Sequence, residues 1–497
     1  MTDTRHARRR ALIDGMVAAA PALAVGWVAH RGAPRIPFAP TAVADRVIRL
    51  TPGDIATAAI ERLHHTAQHL LAAAVVAAFI AVAAIAARQL RSARWAAAAW
   101  SAALLLGALW SPVQLSLPGA AGAAALGGAL YGLALHALRR PRAAPAHNYE
   151  RRRALATIGG FTVAALAASH PLGRAFGWLS PGPQRLTAGR VPRGRTAPRP
   201  AFPRVPGLTP EITSVADHYI VDIDINDPLI DGPSWRLDVG GLVERPMRLS
   251  FFDLQRDFPV RDEISVLTCI SNEVGGPLVG NSRWEGVRIA DILARTSPKP
   301  SASTIVVRCA DGYCAAIPVA AARHPSALAA IAQDGEALSS QHGFPCRLRL
   351  PALYGMLNPK WVTSMELVDH PRHGYWARQG WSPTAVVRTE SRIDTPRHAR
   401  VGKPTWIAGT AWAGIRGIRR VELSLDGGRT WDPARLHRPL SPWAWTQWAY
   451  LWTPRRHGRQ SIQCRATDGR GAAQDPMHRA PHPSGASGYH RVEVEVT

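Results

Sequence analysis

The sequence predicts a five-helix transmembrane anchor, then an α+β domain, then an all-β sandwich. Three observations predict it. Five long apolar stretches fall within the first 172 of 497 residues. Arginine clusters at alternate loops between them. From about Pro396 short β-type runs alternate with Gly-bearing turns.

The apolar stretches lie near Ala11–Ala29, Thr66–Ala87, Trp95–Pro112, Gly119–Leu138 and Ala154–Leu172. About 20 apolar residues cross the hydrocarbon core as a helix. Their high Ala content makes each marginal, so a buried soluble bundle is the competing reading. Arginine decides between them. Arg5, Arg8, Arg9 and Arg10 precede the first stretch; Arg88, Arg91 and Arg94 lie between the second and third. Arg139, Arg140, Arg142 and Arg151–Arg153 lie between the fourth and fifth, whereas Val113–Pro118 carries no charge. Cytoplasmic loops collect Arg and Lys. This places the N-terminus in the cytoplasm and everything after about Pro171 outside it. The long loop Arg31–His65 is the exception, expected outside yet holding Arg31, Arg35, Arg46, Arg49 and Arg62. Arg151-Arg152-Arg153-Ala154-Leu155 resembles a twin-arginine export signal and reads equally well as a positive-inside flank.

Hydrophobic residues make up 47% of the chain, charged residues 19%, and only 5 positions are Cys. That excludes a disulfide scaffold and wholesale disorder. The net charge of +24 invites a nucleic-acid partner, but residues 1–210 hold 25 Arg, no Lys and 6 acids. The excess sits beside apolar segments, so no basic face is left on a globular domain, and no nucleic acid is expected as a partner. Residues 173–210, with eight Pro, seven Arg and no acid, read as an extended basic linker lying along membrane lipid headgroups.

From Glu211 the pattern is α+β, with β-type runs at Trp235–Val239, Ile264–Thr268, Thr304–Cys309 and Arg347–Leu350. Helices are expected at Ile289–Ala294 and Ala327–Gln333. Gly417–Leu425 reads as a strand, Asp426-Gly427-Gly428 as a hairpin turn, and Arg429–Trp431 as the start of the return. Gln460–Ala466 and His490–Val496 are later strands. The expected domains are thus residues 1–172, a linker 173–210, then 211–395 and 396–497.

Cys269 ends a predicted strand and is followed by a polar, Gly-bearing loop, Ile270-Ser271-Asn272-Glu273-Val274-Gly275-Gly276. A thiolate so placed can reach a metal or an electrophile; taken alone, a buried core Cys explains it as well. The wider pattern changes that balance. Residues 211–390 resemble the molybdopterin-binding domain of the sulfite oxidase family. The resemblance rests on Trp235–Pro246, Leu267-Thr268-Cys269-Ile270-Ser271-Asn272, Trp284-Glu285-Gly286-Val287, Asp311-Gly312-Tyr313, His342–Pro351, Tyr354-Gly355-Met356 and Lys360-Trp361, in order. Residues 396–497 resemble the family's immunoglobulin-like dimerisation domain, through Ala411-Trp412-Ala413-Gly414, Asp426–Trp431, Arg465–Gly469 and Gly485–Tyr489.

The resemblance implies that Cys269 is the catalytic residue and the molybdenum ligand, beside the dithiolene of one pyranopterin. Soft sulfur suits that metal. It implies that Arg347 clamps the pterin phosphate with its guanidinium fork and that His342 contacts the pterin. Asn358, Pro359 and Lys360 match a loop closing on the pterin; Lys360 is one of three Lys in an Arg-dominated chain. Tyr219 and Cys309 match weaker cofactor contacts. The dimerisation resemblance implies a homodimer, and redox chemistry implies an electron-transfer partner that the sequence does not name.

Cys309, Cys314, Cys346 and Cys464 show no CxxC metal spacing; Cys309 and Cys314 could form a disulfide outside the cytoplasm. His30, His64, His65, His69 and His136 sit in or near the apolar stretches. Two on facing helices could bind haem, with interfacial His the preferred reading. Trp443, Trp445, Trp448 and Trp452 are spaced like one strand face of core or dimer surface. The expected function is oxygen-atom transfer at the outer face; the alternative of another class is a non-enzymatic binding or assembly module keeping the fold. A transporter would need intramembrane charges, and these stretches have almost none. Sulfite-oxidising members carry arginines where this chain has Asp222 and Glu273, and a tyrosine before a Gly-Phe-Ser-Pro run that is Arg378-Gln379-Gly380-Trp381-Ser382-Pro383 here. These departures point to an S- or N-oxide, with sulfite as the alternative substrate.

Overall fold

The computed structural model describes residues 2–32, 36–51, 55, 66–90, 92–111, 116–139, 147–176 and, apart from 226 and 229, 201–497. Arg35, Arg62, Arg91, Arg140, Arg142, His64, His65 and residues 177–200 of the expected linker lie outside them. Two compact units emerge: Met1–Gln184 with Asp222–Asp231, and Arg185–Val221 with Gly232–Thr497.

The first unit is helical: α1 (Thr2–Gly32), α2 (Ala39–Leu50), α3 (Thr66–Gln89), α4 (Ala93–Leu109), α5 (Leu117–Arg139) and α6 (His147–Phe176). Among the described residues each apolar stretch singled out in the sequence is helical, the third as far as Leu109. Among the described residues, three helices are long and apolar enough to cross a membrane, Arg8–Arg31, Ala67–Gln89 and Leu117–Arg139; Ala93–Leu109 is a shorter apolar helix. Helix α2 was not expected. Pro40 suits its first turn, where a missing N–H costs nothing, and the Thr51 hydroxyl donates to the Val47 carbonyl at its end (2.7 Å). Small residues let these helices approach closely: a Cβ on Gly128 of α5 would meet Ser101 Oγ of α4 at 1.7 Å. Trp100, Tyr131 and Leu135 fill the centre, and the Tyr131 hydroxyl donates to the Ala83 carbonyl (2.6 Å). Segment Asp222–Asp231 belongs to this unit. Arg49 forks onto the Asp224 carboxylate (2.8 and 2.7 Å), Ile225 N–H donates to Asp45 (2.8 Å), and Gln68 donates to the Asp222 carbonyl (3.1 Å). His30 Nδ1 lies 2.9 Å from the Ile36 carbonyl.

The second unit begins with two sheets. Strands β1 (Arg236–Gly241), β2 (Met247–Ser250), β3 (Val260–Thr268), β4 (Val279–Arg288), β5 (Thr304–Cys309), β6 (Cys314–Pro318), β7 (Leu328–Gln333), β8 (Glu336–Ala337), β9 (Arg347–Arg349) and β10 (Val362–Val368) build them. One sheet runs β2-β1-β10-β5-β6, with β1 parallel to β10; the other runs β3-β4-β7-β8, with β9 on β7. Helix α7 (Phe251–Arg256) starts at a reciprocal capping box between Ser250 and Asp253, and α8 (Ile289–Thr296) buries Ile289, Ile292 and Leu293. The helix expected at Ala327–Gln333 is instead strand β7. Its alanines favour a helix, but all six strand residues are buried between β4 and β9, and tertiary packing overrides a weak local propensity.

The remaining strands are β11 (Glu390–Thr395), β12 (His398–Ala399), β13 (Thr405–Trp412), β14 (Ile418–Ser424), β15 (Asp432–Pro433), β16 (Arg435–Leu436), β17 (Thr446–Trp452), β18 (Gly458–Asp468) and β19 (His490–Val496). They form a sandwich of β11-β13-β17-β16 and β12-β19-β18-β14-β15. Ile407, Val421, Leu423, Trp448, Ile462 and Val494 pack between the sheets. The sandwich takes its first strand from Glu390, ahead of the boundary expected at 396, because β11 pairs with β13. The return after the 426–428 turn begins at Asp432, later than expected: the Asp426 carboxylate first accepts from the N–H groups of Arg429 and Thr430 (3.0 and 2.9 Å). Trp448 and Trp452 are core residues, whereas Trp443 and Trp445 precede the strand.

Candidate functional site

The polar loop after β3 turns sharply. Asn272 N–H donates to the Cys269 carbonyl (3.1 Å), and its side-chain oxygen accepts from Leu278 N–H (2.8 Å). This aims the Cys269 thiol inward, 8% exposed, with Ser271 Oγ at 3.0 Å. Burial pushes the thiol pKa up, and the hydrogen bond from Ser271 offsets part of that. A thiol so buried is inert unless a cation replaces its proton.

Tyr219 and Tyr313 lie within electrostatic reach of Cys269, and burial raises both phenols further above their usual range. Tyr313 donates to the Met356 carbonyl (2.6 Å). Gly355 closes the same space: a Cβ there would stand 3.0 Å from the Tyr219 hydroxyl and 3.8 Å from Cys269 Cα. Only a residue without a side chain leaves that gap open.

A cationic cluster adjoins these phenols. Arg347 and Arg349 alternate along β9 and so share one face; each guanidinium lies 5.0 Å from the Trp284 ring. Arg347 donates to the carbonyls of His342 and Asn358 (both 3.2 Å). Arg349, 1% exposed, donates to Asn358 Oδ1, Ser265 Oγ and the Val266 carbonyl, with no carboxylate partner among the described residues. Burial, then Arg347, lower its pKa to about 9. His218 packs edge-on to Trp284 and to His342, with centroids 5.7 and 5.5 Å away. Burial first, then Arg347, hold His218 down at about 3; burial holds His342 at about 4. Both rings are therefore neutral at pH 7.

Tyr219, Cys269, His342 and Arg347 thus fall in one neighbourhood. The Asn358 side chain accepts from Arg349 and Leu350 N–H and donates to the carbonyls of Leu353 and Tyr354, which ties this loop to the arginine cluster. The Pro359 carbonyl accepts from Leu348 N–H (2.9 Å). Lys360 reaches the Gln341 carbonyl (2.7 Å) at the exposed rim, over the Trp361 ring. Cys309 is buried at the end of β5, its N–H donating to the Tyr313 carbonyl (3.0 Å). All five cysteines are free thiols, so Cys309 and Cys314 are not joined. Asp222, weighed above as a substrate-site acid, belongs to the helical unit. Sequence reasoning missed His218 and Arg349 as site residues. The period-2 spacing of Arg347 and Arg349 on a strand was the available signal for Arg349; His218 carried none beyond adjacency to Tyr219.

Comparisons with known proteins identify two domains. Residues 224–376 match the family described as oxidoreductase molybdopterin binding domain, and residues 383–497 the Mo-co oxidoreductase dimerisation domain. These define the class, a molybdopterin oxidoreductase carrying its dimerisation domain. Human mitochondrial sulfite oxidase is 32% identical over 327 residues, 54% of this chain and 59% of that protein. NADH nitrate reductase of Solanum lycopersicum is 26% identical over 302 residues, 48% of this chain and 33% of that protein. The sulfane dehydrogenase SoxCD structure from Paracoccus pantotrophus shares the fold, with TM-score 0.51 and 23% identity over 61% of this chain and 91% of that one. The chain belongs to the sulfite oxidase family of molybdopterin oxidoreductases. It spans little more than half the length of the mammalian relatives it matches.

The residues present fit the pterin. Arg349 Nε is buried with no hydrogen-bond partner among the described residues, and so is His218 Nε2, an acceptor once Nδ1–H is assigned to the Tyr219 carbonyl. A guanidinium N–H and a ring acceptor, beside a second buried guanidinium, suit a ligand carrying both anionic oxygens and N–H groups. Among the described residues no group of three or more His, Cys, Asp or Glu could hold a metal ion.

Behind the cysteine loop, Glu390 of β11 is buried beside the Asn272 amide, and the Tyr354 hydroxyl donates to it (3.5 Å). Burial pushes its carboxyl from 4.5 up to about 8. The folded chain then keeps a proton that the unfolded chain gives up. Stability falls as pH rises from about 4.5 to about 8, because unfolding releases a proton there. Glu390→Gln removes that loss. Its Tm relative to the parent chain should climb steadily across this window; parallel curves for the two chains would contradict the burial argument.

Proposed function

We propose that the chain is a membrane-anchored molybdenum-cofactor oxidoreductase that transfers an oxygen atom on the extracytoplasmic side, with an S-oxide or N-oxide as substrate. The observation that carries the chemistry is the buried Cys269 thiol, linked through Tyr219 to a cationic cluster with an unmatched guanidinium nitrogen. Cys269 supplies the thiolate ligand, its proton displaced by the metal. Arg347, Arg349 and His342 hold the pterin and its phosphate, Lys360 closes the rim, and Tyr219 and Cys309 line the near wall. Bound there, the cofactor supplies two-electron oxygen-atom exchange with water. The phenols of Tyr219 and Tyr313 stay protonated at neutral pH, and Tyr313 donates to the Met356 carbonyl.

Two features support a substrate larger than sulfite. An open groove of about 720 Å³ runs beside β6, lined by Arg308, Cys314, Glu366, Arg372, His373 and Arg378. A narrow recess bordered by Arg372, Gly374 and Tyr313 adjoins it. Arg378, at the position of the missing tyrosine, donates to Cys314 Sγ (3.3 Å) and the His373 carbonyl (2.7 Å). Steady-state kinetics on the molybdenum-loaded protein should give higher kcat/KM for members of an S- and N-oxide panel than for sulfite; sulfite oxidation exceeding every other reaction would overturn this substrate assignment.

The anchor reading rests on the apolar helices and on arginine placement. Five spans with a cytoplasmic N-terminus put residues 211–497 outside the cytoplasm, and the sandwich pairs two chains as a homodimer. A reporter fused after Thr497 should be active outside the cytoplasm and one fused near Arg140 inside. The reverse pattern would refute the five-span arrangement.

A further inference from the structure

The sandwich domain reaches the cysteine loop directly, from three of its residues. Arg392 of β11 donates Nη1–H to the Gly276 carbonyl (3.0 Å), while Nε and Nη2 are tied to Asp394 and Thr209. His490 of β19 packs against Gly275, which has φ +77°: a Cβ there would collide with its ring. His490 Nδ1 accepts from Ile393 N–H (2.9 Å), which fixes the ring's orientation. Glu390 faces the Asn272 amide, and Asn272 N–H holds the Cys269 carbonyl. Strand β3 is held from the same domain, with Val266 N–H donating to the Trp443 carbonyl (3.0 Å) and the Ser441 hydroxyl to the Ile264 carbonyl.

We propose that Glu390, Arg392 and His490 are positioning residues for the metal-binding thiol: the sandwich clamps the 269–276 loop and so fixes where the Cys269 sulfur points. The domain assigned to dimerisation thereby completes the site. The loop supplies little rigidity of its own. Gly275 and Gly276 leave its far end without side chains to pack, and the hydrogen bonds at that end come from the sandwich and from the Glu273–Gly276 turn. Groups that do not touch a metal still fix a ligand's orientation through the hydrogen bonds that hold its segment.

The inference rests on the cofactor reading for its importance but not for its test. The full chain in detergent is prepared without cofactor, as the parent and as His490→Ala and Arg392→Met. Alkylation of Cys269 by iodoacetamide is followed by peptide mass spectrometry, with the buried Cys309 and Cys346, both outside the sandwich, as internal references. Releasing the clamp should speed labelling of Cys269 about tenfold through local opening, while the two references stay slow. Unchanged Cys269 labelling overturns the proposal, and so does equal acceleration of all three thiols, which reports global loosening. Should His490→Ala fail to fold, Arg392→Met carries the same test from the other contact. In metal-loaded chains both variants should shift the Mo(V) resonance at unchanged metal content. A parent chain without molybdenum would sink the functional reading and leave the labelling comparison standing.

Discussion

Cys269→Ala should take turnover to background. Removing a partner that merely orients a metal ligand typically costs about 10–100-fold, and the ligand itself costs more. Among the described residues no group of three or more His, Cys, Asp or Glu offers an alternative metal site. Loss of one sulfur at the end of β3 leaves only a small cavity, so the chain should still fold. Cys269→Ser keeps the shape and replaces the soft donor by a hard one, so the Mo(V) resonance should move while the chain still folds. Full activity in Cys269→Ala, measured on soluble, dimeric protein, would remove the ligand assignment.

The second large effect belongs to the arginine pair. Each guanidinium of Arg347 and Arg349 is buried and lies over Trp284, and Arg349 has no carboxylate to neutralise it among the described residues. Such charge is costly until an anion arrives. Hydrogen bonds to charged groups contribute about 1.5–3 kcal/mol, so Arg347→Met or Arg349→Met should weaken cofactor retention by about 10–150-fold. The effect on the cofactor-free chain runs the other way. Arg349→Met removes a charge whose pKa burial has already lowered to about 9, so the empty protein should melt no lower than its parent. Pterin content by fluorescence after oxidation, together with the two melting curves, separates the effects. Undiminished pterin in both variants would show that the phosphate lies elsewhere.

What was legible in the sequence follows from what is local. Strands β1, β5 and β19 announce themselves through β-branched and alternating residues, and Cys269, Arg347 and His342 through ordered motifs. Strand β7 was not legible, because Leu-Ala-Ala-Ile-Ala-Gln favours a helix until β4 and β9 bury it on every side. Helix α2 was hidden in a loop notable chiefly for its arginines. One of them, Arg49, proves to be bound to Asp224, 175 residues away. The hydrogen bonds of the Asn358 side chain were not legible either, since Arg349, Leu353 and Tyr354 meet it only in the folded chain. The clamp from Glu390, Arg392 and His490 was the least legible, since it joins residues over 100 positions apart across two domains.

The most direct test of this account is metal and pterin analysis of the purified full-length chain and of Cys269→Ala. The account predicts about one molybdenum and one pyranopterin per parent chain, the thiolate being the sole protein ligand. It predicts pterin retained and molybdenum sharply reduced in Cys269→Ala. A parent chain carrying neither molybdenum nor pterin, when produced in cells that load other molybdoenzymes, would contradict it.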